Sequence, residues 1–444
     1  MAQHNCTEAK ENYGGKFSCP LLIAAYVFAG LAMMLNIRLS YSSAPYALIR
    51  FRLPENLFSV FVRRMASALE LWCLPSMLLG NIMDLGVKGA IGSANEDNKK
   101  WWKFYCIIWS SIICQWLNFI TYVILLIVYV IGGDQGRLTT FYWTIAISGV
   151  VFGINMTLVY SVDFYYIPVY IAGENSFPIV TSFMHYLSTL MFGNRRKWNS
   201  DYLIVMIDIG VAIIISFAAA VIWTVGYLCE VDDSTEVKDM KHIHANGFDG
   251  KFSEHLISPF LMVIVGMGLV YAIYPGIAPG MIVPFYLIDK IEMVLLIATF
   301  FPPVIIAILR KHASDYSPTH FDRGKAQPWS TYTAGVFYLS LNILMVIKIL
   351  LAAIFICSLH YRDSSISRSI VNQPKMSTAL SITFYMCHEI LLAVGFSGVI
   401  GNDGGDFILI PQYIGALFMI FLAFYSEGYI NEYKNHDPEH WSID

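Results

Sequence analysis

Residues 203–228 read LIVMIDIGVAIIISFAAAVIWTVGYL, an apolar run in which Asp208 is the one charged residue. A helix needs roughly 20 predominantly apolar residues to cross the hydrocarbon core of a bilayer. This stretch meets that length, and its single carboxylate does not rule out a membrane-spanning helix. It therefore predicts a transmembrane helix.

The same length criterion identifies ten further segments. They cover residues 18–37, 65–87, 104–131, 140–162, 166–192, 257–280, 285–309, 330–359, 377–400 and 408–430. We number the predicted segments as spans 1 to 11 in chain order, so the quoted stretch is span 6. The pattern predicts an all-α fold, a polytopic membrane helix bundle of about 11 transmembrane helices with its termini on opposite sides of the membrane.

The composition points the same way. Of the 444 residues, 57% are hydrophobic and 14% are charged, and the mean hydropathy is +0.57. Soluble domains carry about 25% charged residues, and much of any folded surface stays exposed, so the apolar surface of this chain must face a lipid bilayer. The net charge is −4 without a basic tract, which argues against a nucleic-acid partner. We expect a multi-pass integral membrane protein of the plasma membrane.

A hydrophilic, mainly acidic loop at residues 229–256 separates six spans from five. We therefore predict an N-terminal six-helix half (1–228), this loop, and a C-terminal five-helix half (257–444). The lysine and arginine residues of the predicted loops are evenly divided between the two sides of the membrane, so charge does not decide the orientation. The histidines of the loop lack a fixed spacing, and the cysteines form no CxxC pair. We expect no metal site and no cofactor.

Charged residues inside the spans are the most informative feature. Each costs about 2.5 to 3.5 kcal/mol in hydrocarbon by insertion scales, so it needs a partner, a water-filled cavity or a role. Asp289 and Glu292 share one helix face in span 8, and Lys348 lies deep in span 9. A pair between Lys348 and either carboxylate would neutralise both helices. The pair fits two roles, a clasp between helices and the lining of a cavity.

Proline and glycine predict breaks in three spans. Span 7 ends in Tyr274-Pro275-Gly276, span 5 is interrupted near Gly173 and Pro178, and span 2 contains Pro75. Irregular backbone is tolerated at membrane depth only where it is buried in protein or lines a cavity. The breaks therefore favour a bundle that forms a cavity, although kinks also occur in inert membrane helices.

Several short motifs and the layout of eleven helices with a six-plus-five division resemble the equilibrative nucleoside transporters. The motifs are Leu35-Asn36 in span 1, Leu74-Pro75 in span 2, Ser148-Gly149 through Asn155 in span 4, Tyr274-Pro275-Gly276 in span 7 and Phe285-Tyr286-Leu287-Ile288-Asp289 in span 8. More loosely, the chain is similar to the multispanning repeat-family proteins of piroplasm parasites. The first resemblance implies transport of nucleosides.

The chain departs from the transporter family at two positions. An arginine that should follow the aspartate of span 8 is missing, with Glu292 and Met293 in that region, and the Asn-Gly of span 10 is replaced by residues around His388. In the family the missing arginine helps to hold the nucleoside. Lys348 or Lys290 could supply the cation, but lysine lacks the bidentate fork of arginine.

The leading hypothesis is a solute carrier that works by alternating access on a small neutral solute such as a nucleoside or nucleobase. Its acidic intramembrane residues outnumber the basic ones, which disfavours an anionic substrate. We expect a central cavity between the two halves. The predicted substrate-binding residues are Asn36, Asn155, Tyr274, Asp289, Glu292 and Lys348.

Two other classes stay open. A membrane-embedded enzyme would use His388 beside Glu389, or His185, but no HExxH or GxSxG motif supports catalysis, so we do not expect an enzyme. A divergent membrane protein that keeps the fold without transport is the other alternative, because a fold can outlast its function.

Overall fold

The computed structural model describes residues 19–53, 58–93, 96–131, 137–194, 197, 199–228, 243, 252–322, 325–361 and 364–436. Most of the predicted acidic loop, 229–256, lies outside these ranges. The chain divides into two compact units, whose main segments are Phe17–Asp249 and Gly250–Asp444.

The N-terminal unit is built from helices of very different lengths. They are α1 (Pro20–Arg50), α2 (Phe58–Ser93), α3 (Glu96–Lys103), α4 (Trp109–Val130), α5 (Leu138–Val162), α6 (Ile167–Glu174), α7 (Phe177–Phe192) and α8 (Ser200–Leu228). A π-helical turn, Phe104–Ile108, joins α3 to α4, and a 3-10 turn, Phe164–Tyr166, precedes α6.

The C-terminal unit contains shorter, more interrupted helices. They are α9 (Ile257–Gly268), α10 (Val270–Ile273), α11 (Phe285–Ala298), α12 (Phe301–His312), α13 (Thr333–Ser340), α14 (Ile343–His360), α15 (Ser365–Val371), α16 (Pro374–Gly401) and α17 (Leu409–His436). Two antiparallel two-residue strands, β1 (Phe321–Asp322) and β2 (Lys325–Ala326), lie between α12 and α13, with Phe321 opposite Ala326.

Within the described residues, eight helical segments are long and apolar enough to cross a membrane. They are Asn98–Val130, Leu138–Val162, Tyr202–Leu228, Glu254–Ile273, Met293–His312, Thr333–His360, Pro374–Gly401 and Gly405–Tyr433. Leu190, Ile214 and Phe421 are among the many large apolar side chains that stay exposed on the helices, as expected for surfaces that face lipid. The prediction of a polytopic helical bundle in a membrane is confirmed, and the count of eleven spans stays a prediction.

Several predicted boundaries were wrong. Span 1 was expected to end at residue 37, but α1 continues to Arg50, whose Nε donates to the carbonyl of Tyr129 at 2.9 Å. Span 8 was expected to be continuous over 285–309, but Thr299 and Phe300 separate α11 from α12. Pro302 and Pro303 open α12, and a proline lacks the N–H that would continue the preceding helix. The predicted break in span 5 is present, because α6 ends at Glu174 and α7 begins at Phe177.

Small residues allow α2 and α5 to approach closely. Gly149 and Gly153 lie one turn apart on α5, where a Cβ atom at Gly149 would overlap the carbonyl oxygen of Leu69 and one at Gly153 would overlap the carbonyl oxygen of Cys73. This is the small-xxx-small packing by which membrane helices bring their backbones together when no hydrophobic effect drives them. Within the stretch Ser148-Gly149 through Gly153, the glycines therefore serve to pack α5 against α2.

We predict that Gly149→Ala destabilises the N-terminal unit. The added methyl group has to push α2 away, and overpacking of this kind costs about 1 to 3 kcal/mol. The matched control is Gly86→Ala on α2, where a Cβ atom meets nothing within 4 Å. Thermal unfolding in detergent should show a lower midpoint for Gly149→Ala and an unchanged or higher one for Gly86→Ala. Equal midpoints would show that the two backbones do not approach as described.

In the C-terminal unit, Trp329 packs against the end of α16 and so holds the segment between α12 and α13 in contact with that helix. Its side chain is 1% exposed, its indole Nε1 donates to the carbonyl of Pro318 at 2.8 Å, and its backbone N–H donates to the side-chain oxygen of Asn402 at 3.0 Å. The ring lies where a Cβ atom at Gly398 would be. Around it, Met262, Ile306, Tyr338, Leu391 and Val394 form one buried cluster.

Candidate functional site

Among the described residues, Lys348 is the charged residue with the smallest exposed fraction. It lies on α14 and is 0% exposed. Its Nζ donates to the backbone carbonyl of Gly266 at 2.5 Å and lies 5.2 Å from the centre of the Phe384 ring on α16. A carbonyl dipole and an aromatic face therefore replace water around the ammonium group.

The Gly266 carbonyl also contacts His388 of α16. The Nδ1 atom of His388 lies 2.7 Å from the Gly266 oxygen, and because a carbonyl oxygen only accepts hydrogen bonds, Nδ1 must carry the proton. The Nε2 atom lies 3.9 Å from the carboxylate of Glu389, beyond the length of a direct hydrogen bond. His388 and Glu389 are both buried.

The backbone is interrupted beside this shared carbonyl. Helix α9 ends at Gly268, Leu269 follows, and α10 covers only Val270–Ile273. Tyr274 then leaves the helix with an extended backbone. A glycine at 266 also leaves room for α16, because a Cβ atom there would lie only 3.3 Å from Leu391 and Leu392 side-chain atoms. Lys348 and His388 thus converge on the last turn of α9, directly before the interruption at Leu269.

Tyr274 joins the same group of side chains. Its ring centre lies 4.7 Å from that of Tyr385, which in turn lies 5.4 Å from the His388 ring. We name this set the Lys348 cluster and define it as Gly266, Tyr274, Lys348, Tyr385, His388 and Glu389. Two of the predicted binding residues, Tyr274 and Lys348, are therefore brought together by α9, α10, α14 and α16.

Three predicted site residues have side chains outside the described part of the structure. Asn36 lies on α1, and Asp289 and Glu292 lie on α11. The predicted ion pair of Lys348 with Asp289 or Glu292 involves side chains that the structure does not describe, and it stays a prediction. The roles of Asn36, Asp289 and Glu292 stay predictions.

The N-terminal unit, taken by itself, contains buried amide groups. Asn155 of α5 is 1% exposed; its Nδ2 lies 3.7 Å from the sulfur of Met33, and its Oδ1 has no partner in the described structure. Neither polar atom of the buried Gln115 side chain on α4 has one either. A buried amide without partners costs about 1 to 3 kcal/mol, so these groups are suited to a polar ligand or to water.

The placement of three basic residues in loops was wrong. Lys88, Lys103 and Arg310 each lie one residue outside a predicted span and were counted among the loop cations, but all three are buried. Lys88 forms an ion pair with Asp84 one turn earlier on α2 at 2.7 Å, and the Nζ of Lys103 donates to the carbonyl of Ser161 at 2.5 Å. The predicted excess of acidic over basic intramembrane residues therefore omitted buried cations, which weakens the charge argument against an anionic substrate.

Sequence reasoning missed Gly266 and Tyr385, and it did not include His388 and Glu389 among the predicted substrate-binding residues. The sequence did contain a signal for His388 and Glu389, because they form a pair of ionisable residues at the centre of a predicted span. No local pattern identifies Gly266, because its partner Lys348 is 82 residues away. Within the described ranges, no group of three or more His, Cys, Asp or Glu side chains is placed to hold a metal ion.

Comparison with known proteins gives little further guidance. No family model matches the chain, and no curated protein matches its sequence. Among solved structures, the backbone is similar to two crystal structures of a bacterial homologue of the iron transporter ferroportin, both in the outward-facing state. The structure with soaked iron has 11% identity and a TM-score of 0.39 and covers 94% of this chain and 99% of its own. The other has 12% identity and the same TM-score and covers 93% and 100%. These scores are too low to assign a family or a function.

Proposed function

We propose that the protein is a membrane solute carrier that works by alternating access. The observation that carries the proposal is Lys348, a fully buried amine that is held by a backbone carbonyl beside a broken helix. Ionisable residues inside membranes face the bundle interior or a cavity and mark the paths of substrates and ions. Interrupted helices at such positions are typical of transporter binding sites.

The groups available for binding favour a small, polar, uncharged solute. The unpartnered amides of Gln115 and Asn155 offer both donors and acceptors, which suits the edge of a base or a set of hydroxyl groups. Tyr274 and Tyr385 offer a pair of aromatic rings, and aromatic side chains stack with nucleobases. Each unit by itself therefore offers groups that match part of a nucleoside, and a nucleoside is the substrate class that we propose.

Within this proposal the remaining predicted residues keep the roles that the sequence suggested. Asp289 accepts hydrogen bonds from ribose hydroxyls, while Asn36 and Glu292 provide further polar contacts. Lys348 balances the charge of nearby carboxylates, of which Glu389 is the one beside it in the Lys348 cluster.

Uptake in a host without its own nucleoside transporters tests the proposal. Cells that display the protein at their surface should accumulate labelled uridine, adenosine or a nucleobase with saturable kinetics above the empty-vector level. Excess unlabelled nucleoside should compete with the label, whereas a nucleoside monophosphate should not. Normal surface expression with uptake equal to the empty vector for all of these solutes would contradict the proposal and favour a protein that keeps the membrane bundle without transport.

A further inference from the structure

A second buried ionisable group lies at the break between α6 and α7. Glu174 is the last residue of α6, and only Asn175 and Ser176 separate it from α7. The break lies inside the predicted span 5. A polar residue at a broken helix is the arrangement that membrane proteins use for ions and substrates, since continuous helices leave no backbone groups free there.

The Glu174 side chain is buried without a partner. It is 8% exposed, and within the described residues it forms no hydrogen bond and no ion pair. An isolated carboxylate is strongly disfavoured in such surroundings, so a buried acid either neutralises itself by binding a proton or recruits a cation. Glu174 therefore needs one of these two positive ligands.

Among the described residues, the ionisable groups that interact with Glu174 are tyrosines. Tyr170 lies one turn earlier on α6, and Tyr160 approaches from α5; both interact electrostatically with the Glu174 carboxyl group. Their rings meet edge to face at 5.6 Å. The Tyr170 hydroxyl is buried and has no hydrogen-bond partner in the described structure.

The third neighbour is α1, which contributes backbone here. Gly30 of α1 packs so closely that a Cβ atom would lie 2.7 Å from the Glu174 nitrogen, and Gly173 packs in the same way against Val27. The two residues of α1 in these contacts, Gly30 and Val27, carry no ionisable side chain. No charged residue on α1, α5 or α6 neutralises Glu174 among the described residues.

The oxygens at the end of α6 distinguish a proton from a metal cation. The carbonyl of Ile171 accepts from the Asn175 N–H at 2.9 Å, that of Gly173 accepts from the Ser176 N–H at 3.1 Å, and that of Ala172 accepts from the Ser176 hydroxyl at 2.5 Å. A bound sodium ion would need several such oxygens, whereas a proton needs only the carboxylate. Each carbonyl keeps a second lone pair, so the proton is favoured because it needs no oxygen besides the carboxylate.

We propose that Glu174 is a proton-binding site that couples solute movement to a proton gradient. The Glu174 carboxylate takes one proton from water on one side of the membrane to form the neutral acid, and the acid returns that proton to water on the other side. No electron is transferred and no other bond changes. The coupling rests on the proposed function, whereas the binding of a proton does not.

Infrared difference spectra of the purified full-length protein test proton binding directly. Spectra recorded across a range of pH should contain a carboxylic acid carbonyl band that Glu174→Gln removes. Glu174→Asp, which keeps an acid, should retain the band at a shifted frequency. Glu254→Gln is the matched control, because Glu254 is exposed and its replacement should leave the buried-acid band intact. A band unchanged by Glu174→Gln would overturn the proposal, and so would a band that responds to added sodium at constant pH.

A second measurement tests coupling. In proteoliposomes loaded with unlabelled uridine, Glu174→Gln should still exchange labelled uridine across the membrane, but an inward proton gradient should no longer accelerate uptake above its level without a gradient. Gradient-driven uptake that persists in Glu174→Gln would overturn the coupling. Because the infrared spectra require no solute, they support or overturn proton binding at Glu174 even if the wild-type protein carries no nucleoside.

Discussion

Replacing Lys348 with methionine is expected to abolish nucleoside uptake while leaving the protein folded. Methionine has nearly the length of lysine without its charge, so the packing against Phe384 is retained while the ammonium group beside Gly266 is lost. The hydrogen-bond acceptor of Lys348 is an uncharged carbonyl, and His388 Nδ1 still donates to that carbonyl after the replacement, so no buried group loses its last partner. We therefore expect wild-type or higher thermal stability together with uptake at the empty-vector level.

The matched control is Lys375→Met on α16, whose side chain is exposed in the same unit. This variant should retain wild-type uptake and stability. If Lys348→Met loses stability and uptake together, Lys348 is a clasp between α14 and α9. If it keeps wild-type uptake, the Lys348 cluster takes no part in transport.

The second large effect is expected for Trp329→Ala. Removing this side chain opens a cavity among Met262, Tyr338 and Leu391 and leaves the Pro318 carbonyl without its indole donor. Truncation of a buried tryptophan costs about 3 to 5 kcal/mol. For a unit of this size the thermal midpoint should fall by roughly 10 °C, which a detergent unfolding assay can measure.

A tryptophan in a different environment provides the control for that prediction. Trp143 on α5 is 59% exposed, so Trp143→Ala should change the midpoint little. Equal destabilisation by both replacements would mean that Trp329 does not anchor the segment between α12 and α13 to α16.

Much of the helical architecture follows from local sequence. An apolar run such as 203–228 is long enough to span a bilayer wherever it occurs, and it forms α8, Ser200–Leu228. The break in span 5 also follows locally, because Pro168 and Pro178 occupy the first turns of α6 and α7. The prediction of a continuous helix across span 8 was wrong. It relied on the length of the apolar run and did not take account of Pro302 and Pro303, which lie in the first turn of α12.

The candidate site depends on contacts that no local pattern encodes. Lys348 was recognised because a charge deep inside a span is costly. Its partner is the carbonyl of a glycine on another helix, however, and backbone oxygens are identical along the chain. Lys88 and Arg310 were assigned to loops because hydropathy counts charges along the sequence, while their burial depends on the packing of helices around them.

Counterflow into proteoliposomes that contain only the purified protein tests transport most directly. Vesicles preloaded with unlabelled uridine should accumulate labelled uridine transiently above the level of vesicles without a preload. The same protein with Lys348→Met, and vesicles without protein, should show no such accumulation. Labelled uridine that equilibrates equally in preloaded protein vesicles and protein-free vesicles would contradict a nucleoside carrier.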